Sequence, residues 1–149
     1  MNRVEAIRHI YAQHPEAFFI LSNGLTSREA AHFLPQPQSF YLLHGMGEAL
    51  SVGIGMAKAD PHRKVVVIDG DGNALMGLAS WGLMPVSNLS YYVLVNGCYQ
   101  TTGGQVIPAL PFRPDWCRVI GIEKDATSTP NPPLPEKIWK TTQEWLANH

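Results

Sequence analysis

Two short strings carry the residues best suited to chemistry: Gly70-Asp71-Gly72-Asn73 and, 25 positions beyond the aspartate, Asn96-Gly97. A carboxylate, a carboxamide oxygen and a free backbone carbonyl are hard oxygen ligands of the kind that suits Mg²⁺, an ion that keeps coordination positions for phosphates. Gly70 and Gly72 let the backbone approach a diphosphate closely, and a helix beginning near Asn73 would aim its first amides at that anion. Alone, Gly-Asp-Gly after a strand is also a common tight turn. The second string, Asn96 at the end of the next strand, is what turns a turn into a candidate site.

The elements around these strings explain why they should meet. Lys64 to Asp69 reads KVVVID, a β-branched run of the sort found in parallel strands covered on both faces, and Tyr91 to Val95 is a second such run. A right-handed strand–helix–strand unit between them needs a crossover of about this size and delivers both strand C-termini to one sheet edge. Upstream, Val4, Ile7, Ile10 and Tyr11 have helical spacing, and His14-Pro15 ends that helix. Phe18 to Leu21 is a strand, Ser27 caps a short helix that Pro35 ends, and Tyr41 to Leu43 is another strand. The turn His44-Gly45-Met46-Gly47 then leads into a helix from Glu48 to Lys58, where Gly53 and Gly55 predict close packing on a sheet. A helix from Asn73 to about Leu83 fills the crossover. The recurring order makes the fold α/β, a three-layer, doubly wound, mainly parallel sheet.

After Asn96 the periodicity stops. Gly97 to Pro114 holds three Gly and three Pro in 18 residues, so residues 97–116 read as a loop ordered by a ligand or partner. Cys117 to Glu123 is the last strand, residues 124–135 are a Pro-rich linker, and Pro135 opens a final amphipathic helix carrying Ile138, Trp139 and Trp145.

Composition narrows the classes. The 149 residues are 45% hydrophobic and 15% charged, and 11 Lys and Arg face 12 Asp and Glu. That is one globular domain, residues 1–149, with no basic run for a nucleic acid partner. The amphipathic start and the lack of a long apolar stretch lead us to expect a soluble, cytoplasmic chain. Cys98 and Cys117 form no C-x-x-C pair and read as reduced thiols. His9, His14, His32, His62 and His149 have no ligand-like spacing and read as surface groups. The first strand is followed by Ser-Asn-Gly-Leu-Thr-Ser, without the G-x-G-x-x-G turn of a dinucleotide site.

The Gly-Asp-Gly-Asn string followed by Val-Leu-Val-Asn-Gly resembles the thiamine diphosphate signature of the thiamine-dependent decarboxylases and synthases. The segments Leu43-His44-Gly45-Met46-Gly47, Ser51-Val52-Gly53-Ile54-Gly55-Met56-Ala57 and Asn96-Gly97-Cys98-Tyr99-Gln100-Thr101-Thr102-Gly103-Gly104-Gln105 are similar to the diphosphate-binding domain of the sulfopyruvate and phosphonopyruvate decarboxylases. The likeness covers most of residues 1 to 107 and returns between Pro130 and Trp145. It departs between Val106 and Trp116, too short and proline-rich for the further helix and strand usual in that family, so the C-terminal part is shortened.

Carried onto this chain, the resemblance implies that Asp71 and Asn96 bind Mg²⁺ through side chains and Cys98 through its main-chain oxygen. It implies that Ser22, Asn23, Gly72, Asn73, Tyr99 and Gln100 hold the diphosphate. Met46 falls where the family places a bulky apolar side chain under the bent cofactor; the bare reading of Met46 is a core residue. Main-chain groups of His44 and Met46 would contact the aminopyrimidine. The family's activating glutamate comes from a separate pyrimidine-binding domain, and Glu48 sits on the wrong type of domain to replace it. The resemblance therefore implies the small subunit of a split, hetero-oligomeric enzyme such as an α₂β₂ assembly, decarboxylating a 2-oxo acid with a sulfonate or phosphonate. The loop Thr101 to Gln105 would face that tetrahedral anion. A carboligase or synthase subunit with the same half-site, and a non-catalytic scaffold subunit, are the alternatives.

Overall fold

The computed structural model describes residues 1–111, 113–124 and 128–149. Five parallel strands form the main sheet: β1 (Phe18–Leu21), β2 (Ser39–Tyr41), β3 (Val65–Gly70), β4 (Leu89–Val95) and β7 (Cys117–Gly121), in the order β2-β1-β3-β4-β7. A small antiparallel pair, β5 (Cys98–Tyr99) and β6 (Gln105–Val106), stands apart from it. The helices are α1 (Arg3–Gln13), α2 (Leu25–Phe33), α3 (Ala49–Ala59), α4 (Asp71–Met76) and α5 (Pro135–Asn148).

The period-2 alternation of β1 and β3 sends side chains to two cores, which makes the structure three-layered. Phe19, Leu21, Val66 and Ile68 pack with Ile7 and Ile10 of α1 and Ala30 of α2. Phe18, Ile20, Val65 and Val67 pack with Leu50, Ile54 and Ala57 of α3. Helix α5 lies along β2 and contributes to both, Ile138 to the first core and Trp145, 5.6 Å from the Phe18 ring, to the second. Gly53 carries out the close packing expected of it, since a Cβ there would lie 2.2 Å from Val67 Cγ2; Gly55 does not, having open space around it.

Several boundaries differ from the sequence expectation. Helix α2 starts at Leu25 with Gly24, at φ +82°, in the capping position; Ser27 lies inside the helix and its hydroxyl donates to the Leu21 carbonyl at 3.0 Å. Strand β2 lies two residues earlier than expected because its register is set by β1, which ends at Leu21. The crossover helix begins at Asp71 rather than Asn73 and breaks at Gly77, continuing as a 3₁₀ turn from Leu78 to Leu83. The break follows from contact: a Cβ on Gly77 would sit 2.2 Å from the Gly47 carbonyl oxygen, so this helix and the 44–47 turn touch backbone to backbone. The 97–116 loop is not structureless, since β5 and β6 with a 3₁₀ turn at 100–102 fold it into a hairpin. His14 is not a simple surface group: it is half-buried, with Nε2 2.9 Å from the Tyr92 hydroxyl. Part of the expected 124–135 linker lies outside the described residues.

Candidate cofactor-diphosphate site

In an open parallel sheet of order 2-1-3-4-5, adjacent strands whose connections leave in opposite directions open a crevice at their carboxyl ends. Here that point lies between β1 and β3, and the cleft above it is lined by Asn23, Met46, Gly72, Asn73, Tyr99 and Gln100, together with Asp71, Asn96 and Cys98. Sequence spacing thus brings the two strings together as expected. Asp71 Oδ2 accepts from the backbone N–H groups of Asn96 at 3.0 Å and Gly97 at 2.7 Å, and Oδ1 accepts from Gly72 N at 3.0 Å. A carboxylate offers about four acceptor positions, so one remains on Oδ1. Asn96 Oδ1 accepts from Cys98 N at 3.0 Å and keeps its second lone pair. Among the described residues no group of three or more His, Cys, Asp or Glu side chains could hold a metal. One carboxylate with a carboxamide and a carbonyl oxygen is instead the sparse set that suits Mg²⁺ shared with phosphate.

Two further observations fit a diphosphate compound. Asn23 Oδ1 is buried at the cleft without a hydrogen-bond partner, an open acceptor that a cation, a metal-bound water or a donor group accompanying the diphosphate would satisfy. A Cβ on Gly72 would lie 2.7 Å from the Tyr99 ring, so only glycine lets that ring lie across the start of α4. The cleft encloses about 120 Å³. That is below the roughly 300–1,000 Å³ of a complete small-molecule pocket. Met46, 61% exposed, and Met76, 50% exposed, form an apolar lip on it. Met46 is therefore not a core residue.

Not every expected residue turns its side chain to the cleft. Ser22 is buried beneath it, its hydroxyl 3.3 Å from Gly70 N, and His44 is exposed in the turn without lining the cleft. The N–H of Gly72 is taken by Asp71. Asn73 Oδ1 accepts from Gly47 N at 3.1 Å, tying the Met46 turn to α4. Gln100 Oε1 accepts from Arg3 Nη2 at 2.9 Å and from Asn96 Nδ2 at 2.8 Å. Gln105 folds onto its own loop, Nε2 donating to the Thr102 carbonyl at 2.8 Å, whereas Thr101 and Thr102 do line the cleft.

Two residues escaped the sequence reading. Asp69 is 1% exposed and accepts from the Tyr91 hydroxyl at 2.9 Å; burial pushes its carboxyl up to about 7. Arg3 is the sole cation among the described residues lining the cleft, and it is itself buried in an ion pair with Glu29 at 3.1 Å. A signal existed for Arg3: the buried stripe Ile7 and Ile10 on α1 projects back to position 3.

A strand-end cleft that offers hard oxygens beside a helix start and an apolar lip is the ligand position of an open parallel sheet. Residues 22–124, more than half of the chain, match the family described as thiamine pyrophosphate enzyme, C-terminal TPP binding domain, and the chain belongs to that family. The chain is 42% identical over 108 residues to a phosphonopyruvate decarboxylase of Streptomyces hygroscopicus, an alignment covering 70% of this chain and 27% of the relative. It is 40% identical over 108 residues to sulfopyruvate decarboxylase subunit beta of Methanothermobacter thermautotrophicus, covering 70% and 58% respectively. A 2-oxoacid:ferredoxin oxidoreductase subunit beta of Saccharolobus solfataricus is 31% identical over 121 residues, covering 78% and 36%. The chain thus matches between about a quarter and somewhat over half the length of these relatives. No helix among the described residues is long and apolar enough to cross a membrane.

Proposed function

We propose that this chain is the diphosphate-binding subunit of a split, thiamine diphosphate- and Mg²⁺-dependent 2-oxo acid decarboxylase, acting on a pyruvate that bears a sulfonate or phosphonate. The observation that carries the reading is the meeting of Asp71 and Asn96 across two strand ends, with an acceptor position still open on each side chain. Family membership names the coenzyme, and the relatives' printed names supply the substrate class.

In this reading Asp71 Oδ1, Asn96 Oδ1 and the Cys98 carbonyl hold the metal. Asn23, through its Nδ2, and Tyr99 would meet the diphosphate, Ser22 props the strand end from below, and Asn73 and Gln100 brace the loops that frame the cleft. When bound, the coenzyme supplies the electron sink for the loss of CO₂. Met46 shields the ring portion from water, and its burial by a ligand or partner would remove an exposed apolar surface. Thr101 and Thr102, which line the cleft, would meet the substrate's tetrahedral anion. Because the cleft encloses only about 120 Å³, the ring end of the coenzyme would need a second surface, which a pyrimidine-binding-domain polypeptide would provide together with the activating glutamate.

The test is to purify the tagged chain from its own cells with thiamine diphosphate and Mg²⁺ present, then assay the complex with 3-sulfopyruvate and 3-phosphonopyruvate. The expected result is a stoichiometric pyrimidine-domain partner and CO₂ plus aldehyde release that stops when the coenzyme or Mg²⁺ is left out. Consumption of a second carbonyl compound would make the complex a carboligase. A complex that binds no coenzyme would leave a scaffold subunit.

A further inference from the structure

A carboxamide has two ends of nearly equal shape and opposite chemistry. If Asn96 turned its Nδ2 toward a cation, two N–H donors would face the charge and the ligand would be lost. Something must therefore decide which end points into the cleft, and the hydrogen bonds around it form a chain with only one direction.

We infer that Arg3, acting through Gln100, is the positioning residue that fixes the Asn96 carboxamide with its oxygen toward the metal position; the inference rests on the Mg²⁺ reading above. Asn96 Nδ2 donates to Gln100 Oε1 at 2.8 Å, which leaves Asn96 Oδ1 on the Cys98 side. Gln100 cannot turn over. Its Oε1 also accepts from Arg3 Nη2 at 2.9 Å, and its Nε2 donates to the Lys124 carbonyl at 3.0 Å. A flipped Gln100 would press its NH₂ against a guanidinium, which has no acceptor, and its oxygen against a carbonyl, which has no donor. Arg3 in turn is pinned by Glu29 at 3.1 Å, with both side chains about 5% exposed or less. The polarity runs from Glu29 through Arg3 and Gln100 to Asn96, across three segments of chain distant in sequence.

Removing a group that orients a metal ligand typically costs 10–100-fold in metal affinity. The readout is therefore the Mg²⁺ dissociation constant at saturating thiamine diphosphate, measured by calorimetry on the assembled complex. Arg3→Met and Gln100→Leu are each expected to weaken Mg²⁺ by about 10-fold or more. Since they act in series, the double variant is expected to lose no more than the worse single one. Ile7→Ala, which hollows the core beside the same helix, controls for destabilisation and is expected to leave the constant within about twofold. Should Arg3→Met fail to fold, Gln100→Leu with the Ile7→Ala control decides alone. On the metal-free chain, the Asn96 side-chain N–H protons are expected to exchange with solvent faster in Gln100→Leu than in the parent.

An unchanged constant in Gln100→Leu overturns the inference, as does an equal loss in Ile7→Ala or a multiplicative loss in the double variant. If the parent binds Mg²⁺ and Asp71→Ala does not, while the relay variants are silent, only the relay falls. If the parent shows no Mg²⁺-dependent coenzyme binding, the functional reading falls and the relay with it.

Discussion

Asp71 is asked to do two things, and the first can be measured without any ligand. Its carboxylate gathers the N–H groups of Gly72 at 3.0 Å, Asn96 at 3.0 Å and Gly97 at 2.7 Å, so it staples the end of β3 to the end of β4. Asp71→Ala strands all three donors. Those on Asn96 and Gly97 are only partly buried, so water can replace part of what is lost, and about 1 kcal/mol per donor is the fitting end of the usual range. The sum is about 3 kcal/mol, and at roughly 2–4 °C per kcal/mol for a chain of this size the melting temperature should fall by about 6–12 °C. Asp71→Asn keeps one oxygen. It can serve Gly72 or the Asn96–Gly97 pair but not both, so it should fall about halfway between parent and Asp71→Ala. Differential scanning calorimetry in chelator-treated buffer reads both. If Asp71→Ala melts within about 2 °C of the parent, or if Asp71→Asn matches the parent, the staple argument is wrong. A loss of coenzyme binding in Asp71→Ala would then report on the metal alone; if the staple is real, Asp71→Asn is the cleaner probe of metal binding.

The two glycines of α3 should part company on substitution: Gly53→Ala collides with Val67 and is expected to cost about 1–3 kcal/mol, whereas Gly55→Ala meets open space and gains up to about 1 kcal/mol of helix stability, both read by urea denaturation. His14 is held below its ordinary pKa by burial and then by the charges of Lys64 and Arg118. The unfolded chain therefore binds more protons there, so its contribution to stability is present above about pH 6.5 and fades as the pH falls through the folded value. A denaturation series from pH 5 to 8 should show a shallower slope in His14→Gln than in the parent; equal slopes would remove His14 from the account.

The strands that carry the site announced themselves because they are buried on both faces: KVVVID and the Tyr91–Val95 run have no polar alternation to obscure them, and their ends contain Asp71 and Asn96. From those ends the cleft followed through topology alone. What stayed hidden depends on contacts between segments far apart in the chain. Nothing local in Asn73-Ala74-Leu75-Met76 says that the helix stops at Gly77; the stop is imposed by the Gly47 backbone. The β2 boundaries are dictated by a partner strand, not by β2's own residues. Ser27 looked like a cap because serine favours that position, yet its hydroxyl finds the Leu21 carbonyl within the helix. The readings of Gln100 and Asn73 as diphosphate contacts share this limit, because each side chain is engaged by a segment distant in sequence, Gln100 by Arg3 of α1 and Asn73 by the Gly47 turn.

The backbone contact between Gly47 and Gly77, reinforced by Gly47 N donating to Asn73 Oδ1, has a geometric consequence. It joins the turn bearing Met46 to the helix whose first residue is Asp71, so the apolar end of the cleft and its Asp71 end are tied to each other. In the proposed reading the cleft would thereby act as a gauge, favouring compounds whose anionic tail and apolar head match the spacing between its two ends.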